Sequence, residues 1–191
     1  MITGTEKTIP MVRSRRGSRI LIAGLGNVLL KDDGMGVHAV RELKKNPPPG
    51  VLVVEVGTAV LDALHLFEWA DKILAIDAME AGGFPGTIYS FGMGDVAEGP
   101  KVSLHELSLR GALRFLPRSV NPEIAVLGVE PEIIDYDLNL SPSLQRALPR
   151  LLREAKEIIA RWQGVRGDEL GQEGRNPLSE KRSTLEINNG G

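Results

Sequence analysis

Three stretches of continuous apolar sequence decide what this chain can fold into. Residues 20–22 (Ile, Leu, Ile), 51–54 (Val, Leu, Val, Val) and 73–76 (Ile, Leu, Ala, Ile) are apolar at every position rather than at every second one. A strand with one wet face alternates, so unbroken runs of this length mark strands covered on both faces. Helical spacing fills the gaps between them. Val37, Val40 and Leu43 recur before Pro47, Pro48 and Pro49 end the helix, and Leu61, Leu64 and Phe67 mark a second one. The repeated strand and helix predict an α/β fold: an open, mostly parallel twisted sheet of about five strands with helices on both faces.

The remaining signals extend that frame. Gly82-Gly83 and Pro85-Gly86 turn the chain into an edge strand over 87–91, and a polar loop runs on through Pro100. Helical spacing resumes after His105 with Leu107, Ala112 and Phe115, and residues 124–127 supply a further strand. In the last helix Ser141 is the expected cap, Pro142 suits the first turn, and Leu144, Leu148, Leu151, Ala155, Ile158 and Trp162 form one apolar stripe. We expect a single α/β domain over 19–163 between a disordered basic tail, 1–18, and a second disordered tail, 164–191. The first 17 residues hold Lys7, Arg13, Arg15 and Arg16 against Glu6. That is short of the roughly six phosphate contacts that usually sustain nucleic-acid binding, so no nucleic-acid partner is expected. No apolar run approaches the roughly 20 residues of a membrane span and the N-terminus lacks an apolar signal segment, so a cytoplasmic protein with no membrane partner is expected; a monomer is the expected state.

The missing residue type narrows the chemistry. With Cys 0 there is no disulfide, no thiolate metal site and no cysteine nucleophile. Any metal must be held by His, Asp or Glu, and the only imidazoles are His38, His65 and His105. In a doubly wound sheet, ligands gather beyond the C-terminal strand ends, which here carry the loop from Gly24 to Gly36, then Glu55, then Asp77. The loop has Leu29 where a dinucleotide fingerprint needs its third glycine, and Asp32 and Asp33 would repel a phosphate. An acidic loop suits a cation instead. Asp33 and Asp77 would converge from two strand exits, and with an imidazole they make an oxygen and nitrogen site suited to zinc, nickel or another transition metal. Three protein ligands leave positions open for a substrate. His38 is expected to point sideways to solvent and His65 to serve structure, so His105, where a loop enters a helix, is the preferred ligand. Each residue has an ordinary alternative: Asp33 as a helix cap, Asp77 as a turn residue, His105 as a cap or surface side chain. Asp32, Glu55 and Glu106 are candidate outer carboxylates, and no G-x-S-x-G nucleophile motif competes.

These residues resemble a known family. The run from Ile20 to Asn27, followed by Leu29-Leu30-Lys31-Asp32-Asp33-Gly34-Met35-Gly36-Val37, looks like the opening of the nickel-iron hydrogenase maturation endopeptidases. Gly57-Thr58, Ile76-Asp77-Ala78 with Gly83-Phe84-Pro85-Gly86, Leu104-His105-Glu106-Leu107 and Leu127-Gly128-Val129-Glu130-Pro131 follow in the same order. The resemblance covers 19–162. It implies an enzyme that removes the C-terminal extension of the hydrogenase large-subunit precursor once nickel is inserted. It also places metal ligands on Asp33, Asp77 and His105, with Asp33 where many relatives have Glu. The nickel would arrive with the substrate, and zinc or cadmium could substitute in the isolated protein. Glu55-Val56 departs from the Asp-Gly often seen at that strand exit. A non-cleaving, nickel-sensing chaperone for the large subunit would need the same three residues; a nucleotide-binding α/β domain is the third reading.

Overall fold

The unbroken apolar runs become the central strands. A computed structural model describes residues 17–92, 109 and 111–164 of the chain. In order these form β1 (Ile20–Leu25), α1 (Met35–Lys45), β2 (Val51–Gly57), α2 (Leu64–Trp69), β3 (Lys72–Ala78), β4 (Ile88–Gly92), β5 (Glu123–Val129) and α3 (Pro142–Gln163). The sheet order is β2-β1-β3-β5-β4, parallel throughout except for the antiparallel edge strand β4. Apart from residues 17, 18 and 164, the two expected tails lie outside the described residues.

Successive side chains of each strand enter different cores, which is why the strands do not alternate in polarity. Ile20, Ile22, Leu74 and Ile76 pack with α1 and α3, while Leu21, Ala23, Leu25, Ile73 and Ala75 pack with Phe67, Leu109 and Ala112 on the other face. All six residues of β1 are buried. The α3 stripe follows its expected pattern: Ser141 Oγ accepts the Leu144 N–H at 3.4 Å, Pro142 opens the helix, and Gly164 closes it in the left-handed conformation.

Two expected apolar contacts are corrected by local geometry. Leu61 is exposed because residues Val60–Ala63 form a 3₁₀ turn, whose three-residue period puts Val60 and Ala63 on the buried side instead. Phe115 is also exposed, standing on the turn after the helical residues 111–113, whereas Leu109 and Ala112 reach the core.

The chain runs from β1 outward to β2 and then returns to lay β3 on the other flank of β1. The C-terminal ends of β1 and β3 therefore border the point where the winding reverses, the place where such sheets open a crevice. Gly36 brings the start of α1 onto this edge. A Cβ there would overlap the Ile76 carbonyl oxygen and crowd the Leu25 backbone, so only glycine permits that approach.

Candidate active site

Gly26 is the meeting point of the two predicted carboxylate loops. Its φ of +101° is left-handed, and a Cβ at this position would overlap the Asp33 carbonyl oxygen and stand 3.5 Å from Asp77 Oδ1. Asp33 occupies a 3₁₀ turn, Lys31–Gly34, and does not cap α1; its Oδ2 accepts the Asn27 N–H at 2.8 Å. The turn is strained at its first residue: Lys31, φ 51°, is the only non-glycine with positive φ among the described residues. Asp77 is the penultimate residue of β3, only 2% exposed, and its Oδ1 accepts the Ala78 N–H at 2.9 Å. Asp33 by its backbone carbonyl and Asp77 by its carboxylate thus both border Gly26, just beyond the end of β1. His105 and Glu106 lie outside the described residues, and among the described residues no three His, Asp or Glu side chains gather as a metal set.

Two further carboxylates frame this edge, and sequence reasoning gave neither its role. Asp32 is fully buried and binds the chain after β5: Oδ2 accepts the N–H groups of Glu132 and Ile133, both at 2.9 Å, and Oδ1 accepts that of Ser141 at 2.7 Å. Glu130 does the same for the loop after β3, accepting from Ala81 N–H (2.9 Å), Gly82 N–H (3.2 Å) and the Tyr89 hydroxyl (2.9 Å). Burial pushes the Glu130 carboxyl up, but these donors and the Gly83 N–H together hold it below the usual glutamate range. The signals were present, since Asp32 stood beside a predicted ligand and Glu130 closed a strand. Their partners lie on segments far away in sequence. Glu55, inside β2, has its charge taken by Arg41 (3.1 Å) and Lys44 (3.3 Å).

Comparison with known proteins identifies the molecule that carries this arrangement. A sequence model of the hydrogenase maturation proteases matches residues 37–158, nearly two-thirds of the chain and a span that includes Asp77 and His105. The chain belongs to the hydrogenase maturation protease family. The hydrogenase expression/formation protein HoxM of Azotobacter vinelandii is 30% identical over 149 residues, 74% of this chain and 72% of HoxM. Two solved structures share the fold. The hydrogenase maturating endopeptidase HybD of E. coli superposes with a TM-score of 0.68 at 27% identity, covering 75% of this chain and 93% of HybD. The [NiFe] hydrogenase maturation protease HybD of Thermococcus kodakarensis gives 0.65 at 27% identity, covering 73% and 98%.

The other two histidines of the protease lie within the described residues. His65 is exposed on α2. His38, expected to face solvent, instead is half-buried: its ring edge stands over Gly34 and it hydrogen-bonds to the Leu138 backbone, while Nε2 is buried with no hydrogen-bond partner among the described residues. The cause is tertiary, because the segment after β5 folds over α1. Burial pushes the His38 imidazole below its ordinary 6.5, with Arg41 adding to the effect and the Leu138 backbone bond and Glu42 opposing it. The unfolded chain therefore takes up this proton at a higher pH than the folded protease does. Stability contributed by neutral His38 falls as pH drops below 6.5 and is lost once pH passes the lower, folded value. His38→Gln is expected to flatten the fall of the urea midpoint as pH drops below 6.5, which equilibrium unfolding at stepped pH measures. The carboxylates held low, such as Glu130, still lose their contribution below 4.5 in both proteins.

Proposed function

We propose that this protease removes the C-terminal extension of a nickel-iron hydrogenase large-subunit precursor after nickel insertion, and that Asp33, Asp77 and His105 meet the inserted nickel. The observation that carries this reading is that the Asp33 turn, through its backbone carbonyl, and the Asp77 carboxylate both border Gly26, at the reversal point of the sheet. Hard oxygen donors with an imidazole suit the open side of a nickel ion that substrate cysteines already hold. A chain with no cysteine of its own offers no thiolate to compete for that ion. Contact with the metal aligns the nearby peptide bond, so that an empty precursor lacks the interaction that positions it. The positioned metal polarises the carbonyl, or a carboxylate activates the nucleophile through a water. The protease acts in the cytoplasm as a monomer, and in isolation its three ligands accept zinc or cadmium.

Incubation of the purified chain with nickel-loaded and nickel-free precursor, followed by intact-mass measurement, tests this directly. The expected result is a shortened large subunit only in the nickel-loaded sample. Equal cleavage of both forms overturns metal recognition. Tight binding of the loaded precursor without cleavage makes the chain a nickel-sensing chaperone instead.

A further inference from the structure

Six of the eight exposed large apolar side chains among the described residues stand on one edge of the molecule. Leu29 follows β1, Phe84 follows β3, and Ile133, Ile134, Tyr136 and Leu138 follow β5; Phe84 is 87% and Tyr136 86% exposed. Backbone pairing makes the first and last groups one surface, with Asp137 N–H donating to the Leu29 carbonyl at 3.2 Å and Lys31 N–H to the Asp137 carbonyl at 2.9 Å. Asp32, beside the predicted ligand Asp33, anchors that surface from below through Glu132 and Ile133. Between the β3 and β5 loops opens a pocket of about 690 Å³, lined by Glu80, Ala81, Gly82 and the segment 130–134.

The charge of this edge is predominantly acidic, its bordering cations being Lys31, Arg146, which donates to Ser143 Oγ at 3.1 Å, and Arg150, which donates to the Gly86 carbonyl at 3.0 Å. Residues 79–92 and 128–145 contain Glu80, Glu130, Glu132, Asp135 and Asp137, and no Lys or Arg. The Glu130 carboxylate is occupied by its donors, Glu132 accepts the Ser143 N–H at 3.3 Å and Asp137 pairs with Lys31 at 3.6 Å, whereas Glu80 and Asp135 make no ion pair among the described residues. An apolar patch rimmed by polar groups marks an interaction site. The uncompensated acids choose the partner: a second copy of this chain would bring the same negative set against itself, whereas a basic partner complements it.

We infer that this surface receives a segment of the precursor in which a Lys or Arg stands among apolar residues, with the basic side chain seated between Glu80 and Glu132 and its neighbours against Ile133, Ile134 and Tyr136. The inference rests on the protease reading above. Docking there holds the precursor beside the Asp33 and Asp77 edge without taking part in bond cleavage, so its loss affects binding rather than turnover.

The test uses the full chain with Glu80→Lys and, separately, Tyr136→Ser, both at exposed positions. For nickel-loaded precursor, Glu80→Lys is expected to raise KM about tenfold and leave kcat within about twofold. The wild-type KM rises with salt while that of Glu80→Lys does not. Tyr136→Ser raises KM without changing the salt response. Unchanged KM in both variants, with wild-type cleavage intact, overturns the docking surface. A wild-type dimer in sedimentation that Tyr136→Ser dissociates overturns it in favour of a second copy. Kd values for uncut precursor keep the two readings separable. A precursor bound but not cut by wild type counts against the protease reading, and a Kd unaltered by Glu80→Lys counts against the docking surface.

Discussion

Asp77→Ala is expected to leave nickel-loaded precursor at full length, with the processing rate down by about 10³-fold or more, while the melting temperature stays within a few degrees of wild type. Asp77 is buried at the penultimate position of β3, where its side chain meets the Gly26 turn that holds Asp33. Loss of one preorganised electrostatic contact at a reacting centre typically costs 10²–10³ in rate, and a ligand that both recognises the metal and aligns the scissile bond carries more than one such contribution. The strand itself does not need this carboxylate, because β3 is held by its backbone ladder to Gly128 and Val129 and by the buried residues 73–76. Single-turnover assays by mass, with thermal melts on the same preparations, give both readouts. Asp33→Ala should match Asp77→Ala in processing, whereas His65→Ala, on an exposed face of α2, should cleave as wild type does. Normal cleavage by Asp77→Ala removes it from the site.

Asp32→Ala produces the opposite pattern, a large loss of stability. Its buried carboxylate accepts three backbone N–H groups, from Glu132, Ile133 and Ser141, and removal leaves all three donors unsatisfied. Each such donor costs roughly 1–3 kcal/mol, so a loss of about 4 kcal/mol is expected, or about 10 °C in Tm for a domain of this size. Asp32→Asn is expected to rescue little, since its amide would turn N–H donors toward N–H donors despite preserving the volume. Urea unfolding of the three proteins measures the difference. A Tm within about 2 °C of wild type for Asp32→Ala refutes the anchoring role. Because Asp32 ties the β1 loop to the segment after β5, the same variants also loosen the surface bearing Ile133 and Tyr136.

The match and mismatch between sequence and structure follow the range of the interactions. Strands β1, β2 and β3 were readable because both of their faces are buried, and a continuous apolar run needs no knowledge of which helix covers it. The α3 cap was readable because Ser141 acts on a residue three positions along. Leu61 and Phe115 were misplaced because a 3₁₀ turn and a helix end shift the buried face by one or two residues. His38 was misplaced because its burial comes from a segment a hundred residues later. Asp33 could equally have capped α1 on local grounds; only the folded turn shows it reaching back to Asn27.

By itself, then, the sequence determined a doubly wound α/β sheet, the exclusion of thiol chemistry and the nomination of Asp33 and Asp77, since all three depend on composition, local period and strand ends. Tertiary structure alone decided that the backbone of the Asp33 turn and the carboxylate of Asp77 both border Gly26, that Asp32 and Glu130 are spent on backbone donors, and that the acidic and apolar loops share one edge. Those relations join residues some 40 to 110 positions apart, and no local pattern encodes which distant N–H a buried carboxylate will accept.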